Sequence, residues 1–397
     1  MFSRNAGPEL AELAKGYPIV TVLGPRQSGK TTLVRYIFPK KAYVNLEALD
    51  TQETAKLDPR GFLAQYPNGA ILDEVQRVPE LLSYVQVIVD ETNIKGMFVL
   101  TGSHQMELHQ AISQSLAGRT AILNLLPMSI SELSKSRIEL PLDEALLKGG
   151  YPRLFKENLD PTQLYRFYLQ TYIERDLRQL IQIKDLIQFQ RFVRICAGRI
   201  GQLLSLESIG NDVGISANTV RQWISILEAS FIVFRLPPYY ENFDKRITKS
   251  PKLYFHDVGL ASYLLGIENV VQMKRDPLRG NLFENYIILE LMKERLNKGL
   301  DPQLYYFRDA HGHKVDLIFQ SGRQLVPIEI KAAQTFNSDF LKNLNFFQNL
   351  AGAKSGVGYV IYAGDQEQKI QSFKLLNYKN ATEAITSPEE DIKAIDQ

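Results

Sequence analysis

Gly24, Gly29, Lys30 and Thr31 fall within one short run, residues 19–32 (IVTVLGPRQSGKTT), where an apolar strand passes into a glycine-punctuated loop and then a helix. The glycines let the backbone curl so that successive N–H groups point into one concavity. The N-terminus of the following helix adds its positive dipole end. Such a cradle takes phosphate, and a triphosphate is its natural occupant. The candidate nucleotide-binding residues are Gly24, Pro25, Arg26, Gln27, Ser28, Gly29, Lys30, Thr31 and Thr32. Lys30 is placed to reach the β- and γ-phosphates as a point charge, and the Thr31 hydroxyl to complete a Mg²⁺ shell. The spacing G-x-x-x-x-G-K-T carries weight only between a strand and a helix. Ile19, Val20, Val22 and Leu23 before it, and Leu33, Val34, Tyr36 and Ile37 after it, supply that setting.

Further chemistry lies at the ends of other apolar runs. Residues 70–74 (AILDE) form a short strand ending in two acids after a Pro-Asn-Gly turn. Asp73 is placed to hold Mg²⁺ indirectly, and Glu74 to orient and polarise an attacking water. A third strand, residues 97–100, ends in Thr101-Gly102-Ser103, setting hydroxyls where they sense a γ-phosphate. A helical stretch over residues 105–116 then leads to Ala117-Gly118-Arg119 and another apolar run. In the last third, a strand carrying Asp316 turns at Ser321-Gly322 into a strand carrying Glu329 and Lys331. Residues two apart on a strand share a face, so Glu329 and Lys331 point together, and Asp316 approaches from the adjacent strand. Glu284, on a helix over residues 280–293, offers a further carboxylate.

These elements need a scaffold, and the chain divides readably. Residues 1–141 alternate strand and helix, the pattern of an open, largely parallel sheet with its site at the strands' carboxyl ends. Residues 142–200 have a helical period. Residues 201–241 read as a winged helix-turn-helix: a helix over 206–213, a turn at Gly214, and a second helix capped by Ser216 that turns Val220, Trp223, Ile224 and Leu227 inward. Asn218, Thr219, Arg221 and Gln222 then lie on the outward face as candidate DNA contacts. An alternative is that this unit packs between domains or against protein, since one arginine neutralises little phosphate. Residues 242–382 form the last domain, and 383–397 read as a polar tail.

Composition sets limits. The chain has 397 residues, 45% of them hydrophobic, and a formal net charge of +2, so any basic surface must be local. The single Cys196 excludes an internal disulfide framework and cannot make a metal cluster alone. With no apolar leader and no run long enough to span a bilayer, a cytoplasmic protein without membrane insertion is expected.

The motifs resemble those of the AAA+ ATPases, specifically the bacterial and archaeal branch that carries a winged-helix segment and a C-terminal PD-(D/E)XK nuclease-like domain. The resemblance covers nearly the whole chain. In it, residues 24–31 match Walker A, Asp73-Glu74 match Walker B, Thr101 and Ser103 match the sensor-1 position, and Arg119 lies where an arginine finger is kept. Gly149-Gly150-Tyr151-Pro152 resembles the start of the helical lid, and residues 172–177 (YIERDL) make Arg175 a lid arginine. The fold implied is α/β: a P-loop NTPase with helical lid, winged helix-turn-helix and a restriction-nuclease-like domain whose acids are Glu284, Asp316 and Glu329, with Lys331. The function implied is Mg²⁺-dependent ATP hydrolysis by Lys30, Glu74 and Arg119 in a homo-oligomer acting on DNA or a protein partner. Two alternatives stand beside it, an ATP-gated DNA nuclease and an ATP-switched binding module with negligible turnover. The Gly-Lys-Thr signature excludes a dinucleotide-binding oxidoreductase.

Overall fold

A strand apolar on both faces must be covered on both, and β1 (Ile19–Leu23) is buried along its length in the computed structural model, which describes residues 2–103, 115–173, 186–240 and 249–386. With β2 (Ala42–Asn45), β3 (Ala70–Asp73), β4 (Phe98–Gly102) and β5 (Thr120–Asn124) it forms a parallel sheet of order β2-β3-β4-β1-β5. Parallel neighbours need crossover connections. Helix α1 (Gly7–Gly16) precedes β1, and α2 (Lys30–Ile37) leads from β1 to β2. The next two, α3 (Leu49–Leu57) and α4 (Pro59–Ala64), lead to β3, and α5 (Leu81–Thr92) leads to β4. All five strands therefore open their carboxyl ends on one edge, where residues 24–29, Glu74 and Ser103 follow. The helix expected over residues 105–116 lies, except for its last two residues, outside the described residues.

A capping box starts α6 (Ile130–Lys135): the Glu132 N–H donates to Ser129 Oγ at 3.2 Å, and the Ser129 N–H to the Glu132 carboxylate at 2.9 Å. A helical stretch follows, with α7 (Leu142–Lys148), α8 (Pro152–Lys156), α9 (Pro161–Tyr168) and α10 (Leu186–Gly198). Gly149 precedes α8 with φ +66°, and a Cβ there would lie 2.3 Å from Asp257 Oδ1. The glycine lets the Gly150 N–H reach the Asp257 carboxylate at 2.8 Å.

The pair α11 (Leu206–Val213) and α12 (Ala217–Ala229) is capped by Ser205 and Ser216, with Gly214 at the turn and Val220, Trp223, Ile224 and Leu227 buried. Strand β6 (Val233–Leu236) then pairs antiparallel with β7 (Lys252–Phe255). A boundary at residue 242 would cut this pair, so that expectation is corrected. Beyond β7, α13 (Val258–Leu264) packs on α7 and α9, and α14 (Val270–Arg275) packs on α7. Burial of Val258, Leu260, Ala261 and Leu264 binds the segment to the preceding helices.

The C-terminal unit starts at α15 (Arg279–Leu296). It continues through β8 (Leu304–Arg308), β9 (Lys314–Ser321), β10 (Gln324–Lys331), α16 (Lys342–Ala351), β11 (Gly358–Tyr362), β12 (Gln368–Ile370) and β13 (Phe373–Asn377). The mixed sheet has order β12-β13-β11-β10-β9-β8, and α15 and α16 both pack against β10. Tyr305 pairs with Ile318 but Phe307 with Val315, so β9 carries an extra residue around Asp316 and Leu317. Such a bulge re-aims side chains. The polar tail expected from residue 383 begins later, because Ala384 and Ile385 are buried in the main core. Among the described residues, no helix is long and apolar enough to cross a membrane.

Candidate functional site

The phosphate cradle follows from backbone constraints. A Cβ at Gly24 would sit 2.1 Å from the Leu125 carbonyl oxygen, so only glycine lets β1 turn away so close to the segment after β5. Gly29 caps α2 without a side-chain hydrogen bond, and Thr31 and Thr32 lie in that helix's first turn. The loop between is folded on itself: the Ser28 N–H donates to the Pro25 carbonyl at 3.3 Å, and Gln27 holds a left-handed φ of +63°. Lys30 is buried, and its ammonium donates to the carbonyls of Gly24 at 3.0 Å and Pro25 at 2.9 Å. Burial draws its pKa down, against the pull of Glu74 and Asp73. Ser28 Oγ is buried with no hydrogen-bond partner, which leaves the loop a spare donor of the kind a phosphate oxygen accepts from. Arg26 approaches Glu47 at 3.7 Å, and Glu47 in turn lies 3.9 Å from Arg77.

The acids converge beside this loop. Thr31 Oγ1 lies 3.1 and 3.0 Å from the two oxygens of Asp73. Tyr43 OH donates to the same carboxylate at 2.7 Å, and the Thr101 hydroxyl donates to it as well. The Tyr43 pKa rises through burial and through that bond. Glu74 adopts a left-handed conformation, φ +55°, and its N–H donates to Thr101 Oγ1 at 3.1 Å. Its carboxylate accepts from Ser103 Oγ at 2.9 Å and from Gln76 Nε2, which also reaches Ser103 Oγ at 3.2 Å. Burial alone would raise the Glu74 pKa, but Lys30, Gln76 and Ser103 together hold it below the ordinary carboxyl value. Hydroxyl and carboxylate oxygens beside the glycine loop are a donor set that suits a hard divalent cation, and Thr31 and Asp73 are the residues that could hold one. Sequence reasoning missed Tyr43 and Gln76. Gln76 stands two residues past Glu74, and β2 lies directly beside β3, which are the signals that point to them.

Arg119 lies apart from this group. Its carbonyl accepts the Ile19 N–H at 3.2 Å, and Thr120 pairs with Ile19. It therefore sits at the amino ends of the strands, a strand length of roughly 16 Å from the edge that holds Lys30. Its guanidinium donates to both oxygens of Asp90 on α5, at 2.5 and 2.8 Å, and to the Ala117 carbonyl at 3.1 Å. That hydrogen-bonded pairing raises its pKa. Arg175 lies outside the described residues.

Another arginine holds the loop from behind. Arg4 donates to the Ser28 carbonyl at 2.6 Å, to the Leu126 carbonyl at 2.5 Å and to Glu132 at 3.0 Å. On α12, Asn218, Arg221 and Gln222 are exposed; the Arg221 guanidinium donates to Asn218 Oδ1 at 2.8 Å, and the Thr219 hydroxyl lies 2.9 Å from Ser216 Oγ.

The C-terminal residues form a second cluster. Lys331 Nζ lies 3.1 Å from Asp316 Oδ2 and 2.6 Å from Glu329 Oε1, and the Ile330 N–H donates to Asp316 at 3.0 Å. Burial pushes the Glu329 carboxyl up to about 7, with Asp316 repelling its charge. Asp316 stays low, because Lys331 and Lys252 outweigh its burial. Glu284 is drawn elsewhere: it accepts from Lys252 Nζ at 2.8 Å and from Tyr254 OH, both on β7. The expected grouping of Glu284, Asp316 and Glu329 as one metal site does not close. Among the described residues, no three acidic, histidine or cysteine side chains converge to hold an ion.

Comparison with known proteins follows the same divisions. Residues 16–134 match the description "AAA domain", while 140–270 and 279–381 match two domains of unknown function. An uncharacterized protein of Mycobacterium tuberculosis is 30% identical over 336 residues, covering 84% of this chain and 74% of its own. Its Mycobacterium bovis counterpart matches equally. An uncharacterized protein of Methanocaldococcus jannaschii is 24% identical, covering 72% of this chain and 71% of its own. A solved Walker-type ATPase of Pyrococcus abyssi is similar over 66% of this chain and 96% of its own, at 15% identity and a TM-score of 0.47.

Proposed function

We infer that this chain, which belongs to one family with the two mycobacterial proteins and matches an AAA domain over residues 16–134, binds ATP with Mg²⁺ and hydrolyses it to drive a conformational change. The observation that carries this reading is the meeting of Thr31, Asp73 and Glu74 beside the uncapped N-terminus of α2. Lys30 would leave the Gly24 and Pro25 carbonyls for the β- and γ-phosphates, and Ser28 Oγ would gain the partner it lacks. Bound at Thr31 and Asp73, Mg²⁺ would neutralise charge developing on the transferring phosphoryl group. Glu74, kept ionised by Lys30, Gln76 and Ser103, would accept a proton from the attacking water. Arg119 would act only from a neighbouring copy, which makes the working form a homo-oligomer. The remodelled partner is DNA or protein, with Asn218, Thr219, Arg221 and Gln222 on α12 as the proposed DNA-facing residues of a winged helix.

Two substitutions test the reading. Lys30→Ala removes a ground-state phosphate contact and abolishes nucleotide binding. Glu74→Gln keeps binding but loses turnover, so the chain accumulates with ATP. Hydrolysis at the parent rate by Glu74→Gln would overturn the assignment.

A second reading concerns the C-terminal unit. The Asp316–Lys331–Glu329 contact and the buried, partnerless Glu329 Oε2 support a nuclease-type acid site. Asp316 and Glu329, with Lys331, would serve metal-dependent cleavage of DNA only in a state in which Glu284 leaves Lys252, and such cleavage should disappear in Glu329→Gln while ATP hydrolysis persists.

A further inference from the structure

We infer that Lys252 is a built-in counter-ion of the C-terminal cluster, its ammonium holding a place beside Glu284 that a divalent cation would otherwise take. The proposal rests on reading that cluster as an acid site of nuclease type. Lys252 belongs to β7, ahead of the matched C-terminal domain of residues 279–381, so the cluster is completed by a side chain from outside that domain.

Three observations support it. First, the position of Lys252 is built rather than incidental. Asn285 on α15 grips β7, accepting the Phe255 N–H at 2.7 Å and donating to the Phe255 carbonyl at 2.9 Å. The Lys252 side chain is only 11% exposed, and its ammonium lies 5.4 Å from the Tyr306 ring centroid as well as 2.8 Å from Glu284. Second, the charges already balance closely. Two ammonium groups, on Lys252 and Lys331, pair with three carboxyl groups, on Glu284, Asp316 and Glu329, and a third, on Lys314, adds its charge near Asp316 and Glu329. Adding a divalent ion without removing a lysine charge would leave excess positive charge in a poorly solvated place, which is costly. Third, one acceptor stays unused. Glu329 Oε2 is buried and has no partner, although acceptors at such depth are normally paired. An oxygen in that state is a ligand position that the lysines do not satisfy.

The cluster is therefore closed to divalent metal while Lys252 is charged and in place. Lys331, which bridges two acids, remains as the site's own lysine. Removing Lys252 frees Glu284 to turn toward Asp316 and Glu329.

The probe is Mn²⁺, followed by the electron paramagnetic resonance signal of the free ion, on the full nucleotide-free chain. Every sample carries Asp73→Asn, so that the ATP site contributes no binding. With Lys252 intact, no saturable Mn²⁺ binding is expected at sub-millimolar metal. Lys252→Met, which keeps the side chain's length without its charge, should gain one Mn²⁺ per chain with affinity higher by about tenfold or more. Further substitution of Asp316→Asn should remove it. Equal affinity with and without Lys252, or no Mn²⁺ site in the Lys252→Met chain, overturns the proposal. Lys252→Gln repeats the test should the methionine variant not fold. A site in the unsubstituted cluster that Asp316→Asn abolishes overturns it regardless of either variant. The nuclease reading fails separately: Mn²⁺ bound by Lys252→Met without cleavage of duplex or single-stranded DNA would sink that reading and leave the counter-ion in place.

Discussion

Thr31 and Asp73, 42 residues apart in sequence, meet through one hydroxyl that lies 3.1 and 3.0 Å from the two oxygens of one carboxylate. Tyr43 and Thr101 bind the same carboxylate, so Asp73 is held from three sides. A hard cation entering there would find its protein oxygens already placed. Asp73→Asn keeps most of the shape but replaces the anionic carboxylate with one neutral amide oxygen. Its Mg²⁺-dependent gain in ATP affinity should fall by about 10–100-fold, the range typical of altered metal environments. Calorimetry with and without Mg²⁺ reads this, and an unchanged gain would remove Asp73 from the metal's surroundings.

Gln76 bears on the ionisation of Glu74. Its amide donates to the Glu74 carboxylate, favouring the ionised form against burial, which favours the neutral one. Gln76→Leu leaves the burial and removes the donor, so the Glu74 pKa rises. The acid limb of the kcat profile should then move to higher pH, costing rate on the acid side while the alkaline plateau stays within a few-fold. A limb at the same pH in both proteins would show that Gln76 does not set the Glu74 ionisation.

Arg119 faces away from its own phosphate loop and is engaged by Asp90. Acting on a neighbour's nucleotide, it would have to exchange that partner for phosphate, and such fingers contribute roughly 10³-fold or more. Turnover per chain should rise with protein concentration. Mixing Arg119→Ala with Lys30→Ala should restore part of the activity, since one copy supplies the loop and the other the finger. Unchanged activity in Arg119→Ala, with no rescue on mixing, would make the Arg119–Asp90 pair an ordinary surface contact.

What the sequence made legible was local. Gly24, Lys30 and Thr31 announce a loop because strand, glycine and helix N-terminus must follow one another in order. The two helices of residues 206–229 are equally readable from Gly214 and Ser216. Contacts set by tertiary packing were not. Lys252 reaches Glu284 only because β7 lies along α15, and nothing near residue 252 signals an acid 32 positions away. The extra residue in β9 that re-aims Asp316 is likewise invisible to a period-two pattern. The boundary at residue 242 failed for a similar reason: strand pairing between β6 and β7 spans that position.

Arg4 gives the last prediction, because its role is hidden from local patterning and plain in the packing. Its guanidinium ties the Ser28 carbonyl of the phosphate loop to Glu132 of α6, and both side chains of that ion pair are almost wholly buried. Arg4→Met leaves Glu132 buried without its cation, although the Asn5 and Ser129 N–H groups still donate to it at 2.6 and 2.9 Å. Breaking one side of such a pair costs about 3–5 kcal/mol, whereas replacing both sides with neutral groups costs less. Arg4→Met should therefore lower Tm clearly, and Arg4→Met with Glu132→Gln should recover part of the loss. The loop effect should not recover: without Arg4 the Ser28 carbonyl has lost its anchor in both proteins, so the KM for ATP should stay raised in the double variant. Recovery of Tm and KM together would mean that Arg4 supports the fold alone, and a Tm and KM both unchanged by Arg4→Met would mean that it does neither.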